Sequence, residues 1–101
     1  MDMNKMMKQV QKMQADLAKA QEDLAEQEIE GQAGNGLVKV TVTGGGEFTA
    51  IAIDPKAVDP DDSSLLEDLV LAAVRDALSR QQALAQDRLA PLTGGLGLPG
   101  L

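Results

Sequence analysis

The sequence contains no cysteine and no histidine. It therefore has no thiolate nucleophile, no disulfide, no imidazole base and no zinc-finger ligand set. Tryptophan and tyrosine are also missing and Phe48 is the one aromatic residue, which excludes a deep aromatic core. No stretch approaches the roughly 20 consecutive apolar residues that span a bilayer, and the N-terminal region is amphipathic rather than an apolar signal sequence. A cytoplasmic protein with no membrane partner is expected. The 101 residues allow one domain at most, small enough that much apolar surface would stay exposed if the chain folded alone, so partners are expected. The 44% apolar fraction comes mainly from 14 leucines and 14 alanines.

The apolar spacing divides the chain into helix, strands and helix. Met6, Val10, Met13, Leu17, Ala20 and Leu24 recur in alternating steps of four and three, a heptad seam that predicts one helix over residues 3–27 and a partner helix against it. The period then changes. "LVKVTVTGGGEFTAIAID" reads as two strands joined by Gly44, Gly45 and Gly46, with Val38, Val40 and Val42 on one face and Leu37, Lys39, Thr41 and Thr43 on the other. Ile51 and Ile53 belong to the returning strand, and a shorter strand around Ile29 to Ala33 completes a three-stranded antiparallel meander. A polar loop with two prolines follows, and Ser64 with Glu67 forms a candidate capping box. The second helix, Ser63 to Leu89, carries Leu66, Leu69, Val70, Ala73, Ala77 and Leu84 on one broad face, and Pro91 is expected to end it.

The expected fold is α+β, in the order α-β-β-β-α, with the three-stranded sheet between two long antiparallel helices. Residues 1–90 form a single domain and residues 91–101, "PLTGGLGLPGL", a flexible Gly/Leu-rich tail. One helix runs into the sheet and the other out of it, so their free ends meet far from it. At 1.5 Å per residue such an arm reaches roughly 36 Å.

Charge divides along the same line. The chain is acidic, with a formal net charge of −7. Yet residues 1–20 and 77–101 together hold six bases (Lys5, Lys8, Lys12, Lys19, Arg80, Arg88) against three acids, while residues 21–76 hold three bases against thirteen acids. The segment "KMMKQVQKMQ", residues 5–14, has three lysines and no acid. On a helical wheel Lys5, Lys8, Lys12 and Lys19 fall within roughly 60°, centred about 130° from the Met6–Leu24 seam. Lysines on a solvated helix face are ordinary, but a face kept only for solubility more often mixes signs. A linear array of ammonium groups on an exposed rod suits the phosphate backbone of duplex nucleic acid, where counterion release drives binding.

Other signals are weaker. In "DPDDSSLLEDLV" the sixth and twelfth positions of a calcium loop are Ser64 and Val70 rather than Gly and Glu, so acids near a helix start explain it better. Asp54 before Pro55 reads as a turn residue. "GQAGNG" and "TGGGE" lead into strands rather than into a helix, which makes them hairpin turns and not phosphate loops. The sixteen acids form no catalytic constellation, and two helices on a small sheet enclose little volume. The chain is not expected to be an enzyme, and no cofactor and no metal site are expected.

Five stretches in this order, "MNKMMKQVQKMQADLAKAQEDLAEQEIEG", "GNGLVKVTVTGGGEF", "IAIDPKAV", "LLEDLVLAAVRDAL" and "GGLGLPGL", resemble the YbaB/EbfC family of nucleoid-associated proteins over nearly the whole chain. The resemblance implies a tweezer-like homodimer whose sheets and neighbouring helix segments join while helix pairs project as arms. It also implies DNA binding by basic residues towards the helix ends, here Lys5, Lys8, Lys12, Lys19, Arg80 and Arg88, and a role in nucleoid organisation and gene regulation. Arg75 stands where members usually carry Asn; the resemblance sets it near the dimer junction, paired with an acid rather than touching DNA. The expected partners are duplex DNA and a second copy of the chain. The rival reading is an adaptor dimer whose arms grip a protein through methionine and alanine surfaces, with the lysines serving solubility.

Overall fold

The computed structural model describes residues 2–94. Helix α1 (Met3–Ala25) is followed by strands β1 (Glu28–Ala33), β2 (Val38–Thr43) and β3 (Phe48–Ile53), a 3-10 turn over Pro55–Ala57, and helix α2 (Ser63–Gly94). The sheet is an antiparallel meander in the order β1-β2-β3, as the alternation of the valines predicts. Asp2 caps α1, its carboxylate accepting the backbone N–H groups of Asn4 and Lys5 at 3.1 and 3.4 Å. Between β1 and β2 the chain reverses through Gly34, Asn35 and Gly36, all with positive φ, a conformation that glycine and asparagine tolerate best.

The core lies where α2 crosses β1 and β2. Val38, Val40 and Val42 project from one face of β2 onto Ala73 and Ala77 of α2, and all five are fully buried. Ile29, Ala33, Leu66, Leu69, Val70 and Val74 surround them. Small residues at the centre let helix and sheet approach closely. A Cβ placed on Gly31 would lie 2.6 Å from Ala77 Cα and 2.7 Å from the Ala73 carbonyl oxygen, so only glycine fits beneath the helix there.

At the other end of the sheet three elements converge on Gly44. Its N–H donates to the Gln27 carbonyl at 2.9 Å, its carbonyl accepts from Gln81 Nε2 of α2 at 2.7 Å, and Leu24, the buried residue of α1, packs against it. From this junction α1 and α2 leave the sheet together as an antiparallel pair. The radius of gyration is 19.4 Å, against about 13 Å for a compact domain of this length.

Three expectations are corrected. Helix α2 passes through Pro91 and continues to Gly94. Pro91 removes the bond to the Asp87 carbonyl, but both residues are exposed, so water can take the freed acceptor, while half-buried Leu92 is held beside Gln9, Lys12, Met13 and Asp16 of α1. The expected tail therefore loses its first residues to the helix, and its remainder, residues 95–101, lies outside the described residues. The cap of α2 is Asp62 rather than Ser64: the Asp62 carboxylate accepts the Ser64 backbone N–H at 3.2 Å and the Ser64 hydroxyl as well. The heptad seam is covered only in part. Leu24 is buried and Met13, Leu17 and Ala20 half-buried, but Met6 and Val10 are exposed together with Met3 and Met7.

Candidate nucleic-acid interface

Lys5, Lys8, Lys12 and Lys19 are all exposed along α1. Among the described residues none of them forms an ion pair, although Asp16 follows Lys12, and Asp23 follows Lys19, at helical spacing. Each ammonium group is thus available to an outside anion. From Lys5 to Lys19 the helix rises about 21 Å. At 3.4 Å per phosphate along one strand, that length matches about six phosphates of a duplex.

The two arginines are placed differently from each other and from the lysines. Gln81 bonds to Gly44, which touches Leu24, so this part of α2 is level with the end of α1 at the root of the arm. Arg80 therefore sits beside the sheet, roughly 18 Å below Lys12 along the arm axis. Its Nε donates to Asp76 Oδ2 at 3.1 Å, and the same carboxylate oxygen accepts the backbone N–H of Gln32 at 2.9 Å. The Gln32 N–H and then the Arg80 guanidinium hold the Asp76 carboxyl below its usual range. Arg88 lies about 10 Å farther out than Gln81 and is exposed. Lys5, Lys8 and Lys12 thus stand far out on the arm, Arg88 and Lys19 lower on it, with Lys19 about 8 Å above the root, and Arg80 at the root itself. Arg75 is exposed, and among the described residues it pairs with no acid of its own chain.

The acids take other positions. Asp54, expected as a turn residue, accepts the Lys56 N–H at 2.9 Å and caps the 3-10 turn. Asp59 accepts the Asp61 N–H at 2.9 Å. Most of the remaining carboxylates lie at the sheet end of the molecule, so positive charge is concentrated on the arm.

Strand periodicity alone does not reveal the apolar face of β3. Val38 pairs with Ile53 and Val40 with Ile51, and a bulge at Thr41/Val42 pairs Val42 with Phe48. The bulge brings Phe48 onto the same face as Ile51 and Ile53 despite their odd separation in sequence. That face continues the valine core, but α2 covers β1 and β2 and leaves β3 open. Phe48, Ile51 and Ile53 are 40–55% exposed. Among the described residues no helix is long and apolar enough to cross a membrane.

Comparison with known proteins agrees with this arrangement. The sequence profile of the YbaB/EbfC DNA-binding family matches residues 1–96. A protein of Streptomyces avermitilis named nucleoid-associated protein is 59% identical, the match covering 99% of this chain and 91% of that one. A Mycobacterium protein of the same name is 55% identical, over 99% of this chain and 94% of its own. The crystal structure of an uncharacterized protein from Helicobacter pylori superposes with a TM-score of 0.75 over 86% of this chain and 91% of the other at 18% identity, which establishes the shared fold.

Proposed function

The chain belongs to the YbaB/EbfC DNA-binding family, and from that premise we propose that it is a nucleoid-associated homodimer that clamps duplex DNA with its basic arms. The observation that carries this reading is the row of four exposed lysines along the arm helix of an otherwise acidic molecule, none of them in an ion pair among the described residues. Lysine contacts to phosphate position a protein on DNA without reading its sequence, so little sequence preference is expected. The acidic sheet end repels the duplex and leaves the arms as the contact. The relatives' names support a place in the bacterial nucleoid, within the cytoplasm, and a part in nucleoid organisation and gene regulation.

The dimer is supported by β3. An edge strand with an uncovered apolar face invites a second copy. Two tethered arms raise each other's effective concentration at the DNA, which compensates for the few cations on each. In this reading Lys5, Lys8, Lys12, Lys19 and Arg88 touch phosphate, and Arg80 contributes less because Asp76 already holds it.

The test is fluorescence anisotropy of labelled duplex DNA, titrated at several salt concentrations with wild type and with the Lys5/Lys8/Lys12→Glu variant. Steep salt dependence in wild type and loss of binding to every duplex in the folded variant are expected. Equal binding by both proteins would refute the role of the stripe.

The exposed face of Met3, Met6, Met7 and Val10 favours a second reading, the adaptor dimer. It requires a protein partner whose binding survives high salt, responds to Met3 and Met7 rather than to the lysines, and shows a negative heat-capacity change.

A further inference from the structure

The chain has no cysteine, tryptophan, tyrosine or histidine, so methionine is its one readily oxidised side chain. All five methionines fall within residues 1–13. Met3, Met6 and Met7 are 74%, 51% and 58% exposed, and with Val10 and Gln11 they line one shallow apolar groove at the tip of α1. Spacings of three and four residues set Met6 and Met7 one turn from Met3 on the same helix face. Met13 is the contrast, half-buried beside Leu92 where α2 lies against α1.

A thioether sulfur attacks one oxygen of a peroxide and the O–O bond breaks. The sulfur keeps that oxygen as the sulfoxide, and with hydrogen peroxide the other oxygen leaves as water. Sulfur loses two electrons and the peroxide gains them. The reaction requires that the peroxide reach the sulfur and that the new S–O dipole be solvated, since a polar group buried without a partner is costly. Met3, Met6 and Met7 meet both conditions, because half or more of each side chain stands in water. At Met13 the sulfoxide would be forced between the two helices. The product is polar where the thioether was apolar, and methionine sulfoxide reductases reverse the change.

On the helical wheel the centre of Met3, Met6 and Met7 lies roughly 180° from that of Lys5, Lys8 and Lys12. The sulfoxide is neutral, so its formation adds no charge to oppose the lysines. We infer that Met3, Met6 and Met7 form a reversible oxidation site for peroxides, which turns the apolar face of the arm tip polar and leaves the lysine face as it was. The unchanged contact with DNA rests on the binding proposed above; the oxidation chemistry does not.

The probe is hydrogen peroxide, added to the full chain in its folded state and, as a reference, unfolded in urea, with the sulfoxide at each methionine followed by fragment-ion mass spectrometry. In the folded protein Met3, Met6 and Met7 should react within about twofold of their rates in urea, and Met13 at least about threefold more slowly than in urea. Slowing of Met3, Met6 and Met7 as large as that of Met13 overturns the proposal, because the tip is then covered. Met13 reacting at its unfolded rate overturns it too, because no site is then singled out. Methionine sulfoxide reductases added to the folded, oxidised protein should restore the three thioethers, and sulfoxides that persist would refute reversibility. Oxidised wild type should leave a hydrophobic-interaction column earlier than untreated protein, and by a larger shift than peroxide causes in a Met3/Met6/Met7→Leu variant; equal shifts count against the polar switch. Oxidised wild type should also keep its affinity for duplex DNA within about twofold and the same salt slope. Loss of binding in the oxidised protein alone would show that the two faces are not independent. Failure of untreated protein to bind DNA would instead overturn the proposed function, and the oxidation rates would still decide the fate of the site.

Discussion

The backbone N–H of Gln32 on β1 donates to the carboxylate of Asp76 on α2 at 2.9 Å, a bond across 44 residues of sequence. It satisfies an edge donor of the sheet and fastens the helix to it beside the Gly31–Ala77 contact. Because Arg80 shares the same oxygen, a residue that charge counting assigns to the DNA face is also a brace of the fold.

Stability should fall in acid partly through Asp76. Its carboxyl titrates below the usual value because the Gln32 N–H and Arg80 favour the ionised form. A depressed folded-state pKa gives stability that is fully present above the unfolded value, near pH 4, and is lost as pH falls through the folded pKa. Asp76→Asn keeps an acceptor for Gln32 and removes the titration. Denaturant midpoints measured from pH 6 to pH 2 should show wild type losing its advantage over Asp76→Asn below about pH 4. Parallel curves would mean that the carboxylate charge contributes nothing.

Gly31→Ala should be among the most damaging single substitutions. The new methyl would meet backbone atoms of Ala73 and Ala77, which cannot turn aside as a side chain does. Lifting α2 from the sheet opens the packing around Val38, Val40 and Val42, at a cost of about 3 kcal/mol or more. At Gly45 an added Cβ meets Ala25 Cβ at 3.5 Å, Thr43 Oγ1 at 3.7 Å and Ala25 Cα at 3.8 Å, all ordinary van der Waals contacts, so Gly45→Ala is expected within about 0.5 kcal/mol of wild type. Urea unfolding of the two variants measures the contrast.

Where one face of an element is buried within the chain, the sequence pattern was enough to place it. Val38, Val40 and Val42 alternate because α2 covers them, and the order of elements follows from such runs. Phe48 escaped the pattern because a bulge, invisible in sequence, shifts its face. Pro91 misled because a proline costs little where its helix turn is exposed and Leu92 finds contacts on α1. The lysine stripe was legible because helical spacing alone puts those residues on one face. The height of Arg80 on the arm was not legible because it depends on Gln81 meeting Gly44, a tertiary contact with no local signature.

The bases should therefore contribute unequally to DNA binding. Each lysine that neutralises a phosphate adds about 0.9 to the slope of log affinity against log salt. Lys8→Ala should lower the slope by about that amount, equally for duplexes of different sequence. Arg80→Ala should leave the slope nearly unchanged and instead lower the denaturant midpoint, since it removes one partner of Asp76. The reverse result would put the duplex at the root of the arm.

Ile51→Asp tests the dimer and its contribution to clamping together. Ile51 is 55% exposed in the single chain, so an aspartate there can keep its hydration in a folded monomer. Packed against a second copy, the same carboxylate would be buried without a partner, a penalty of about 3 kcal/mol or more, which weakens the dimer at least about a hundredfold. Sedimentation velocity should find wild type at twice the 10.6 kDa chain mass and the variant near 10.6 kDa, both with helical circular dichroism. All the arm cations are untouched, so each arm should still contact DNA. Without its tethered neighbour, however, the affinity should fall by a factor of about 10² and the salt slope to about half. A variant that stays dimeric would show that β3 is not the joining surface. A monomer that binds DNA as tightly as wild type would show that one arm suffices and that the second copy does something other than clamp.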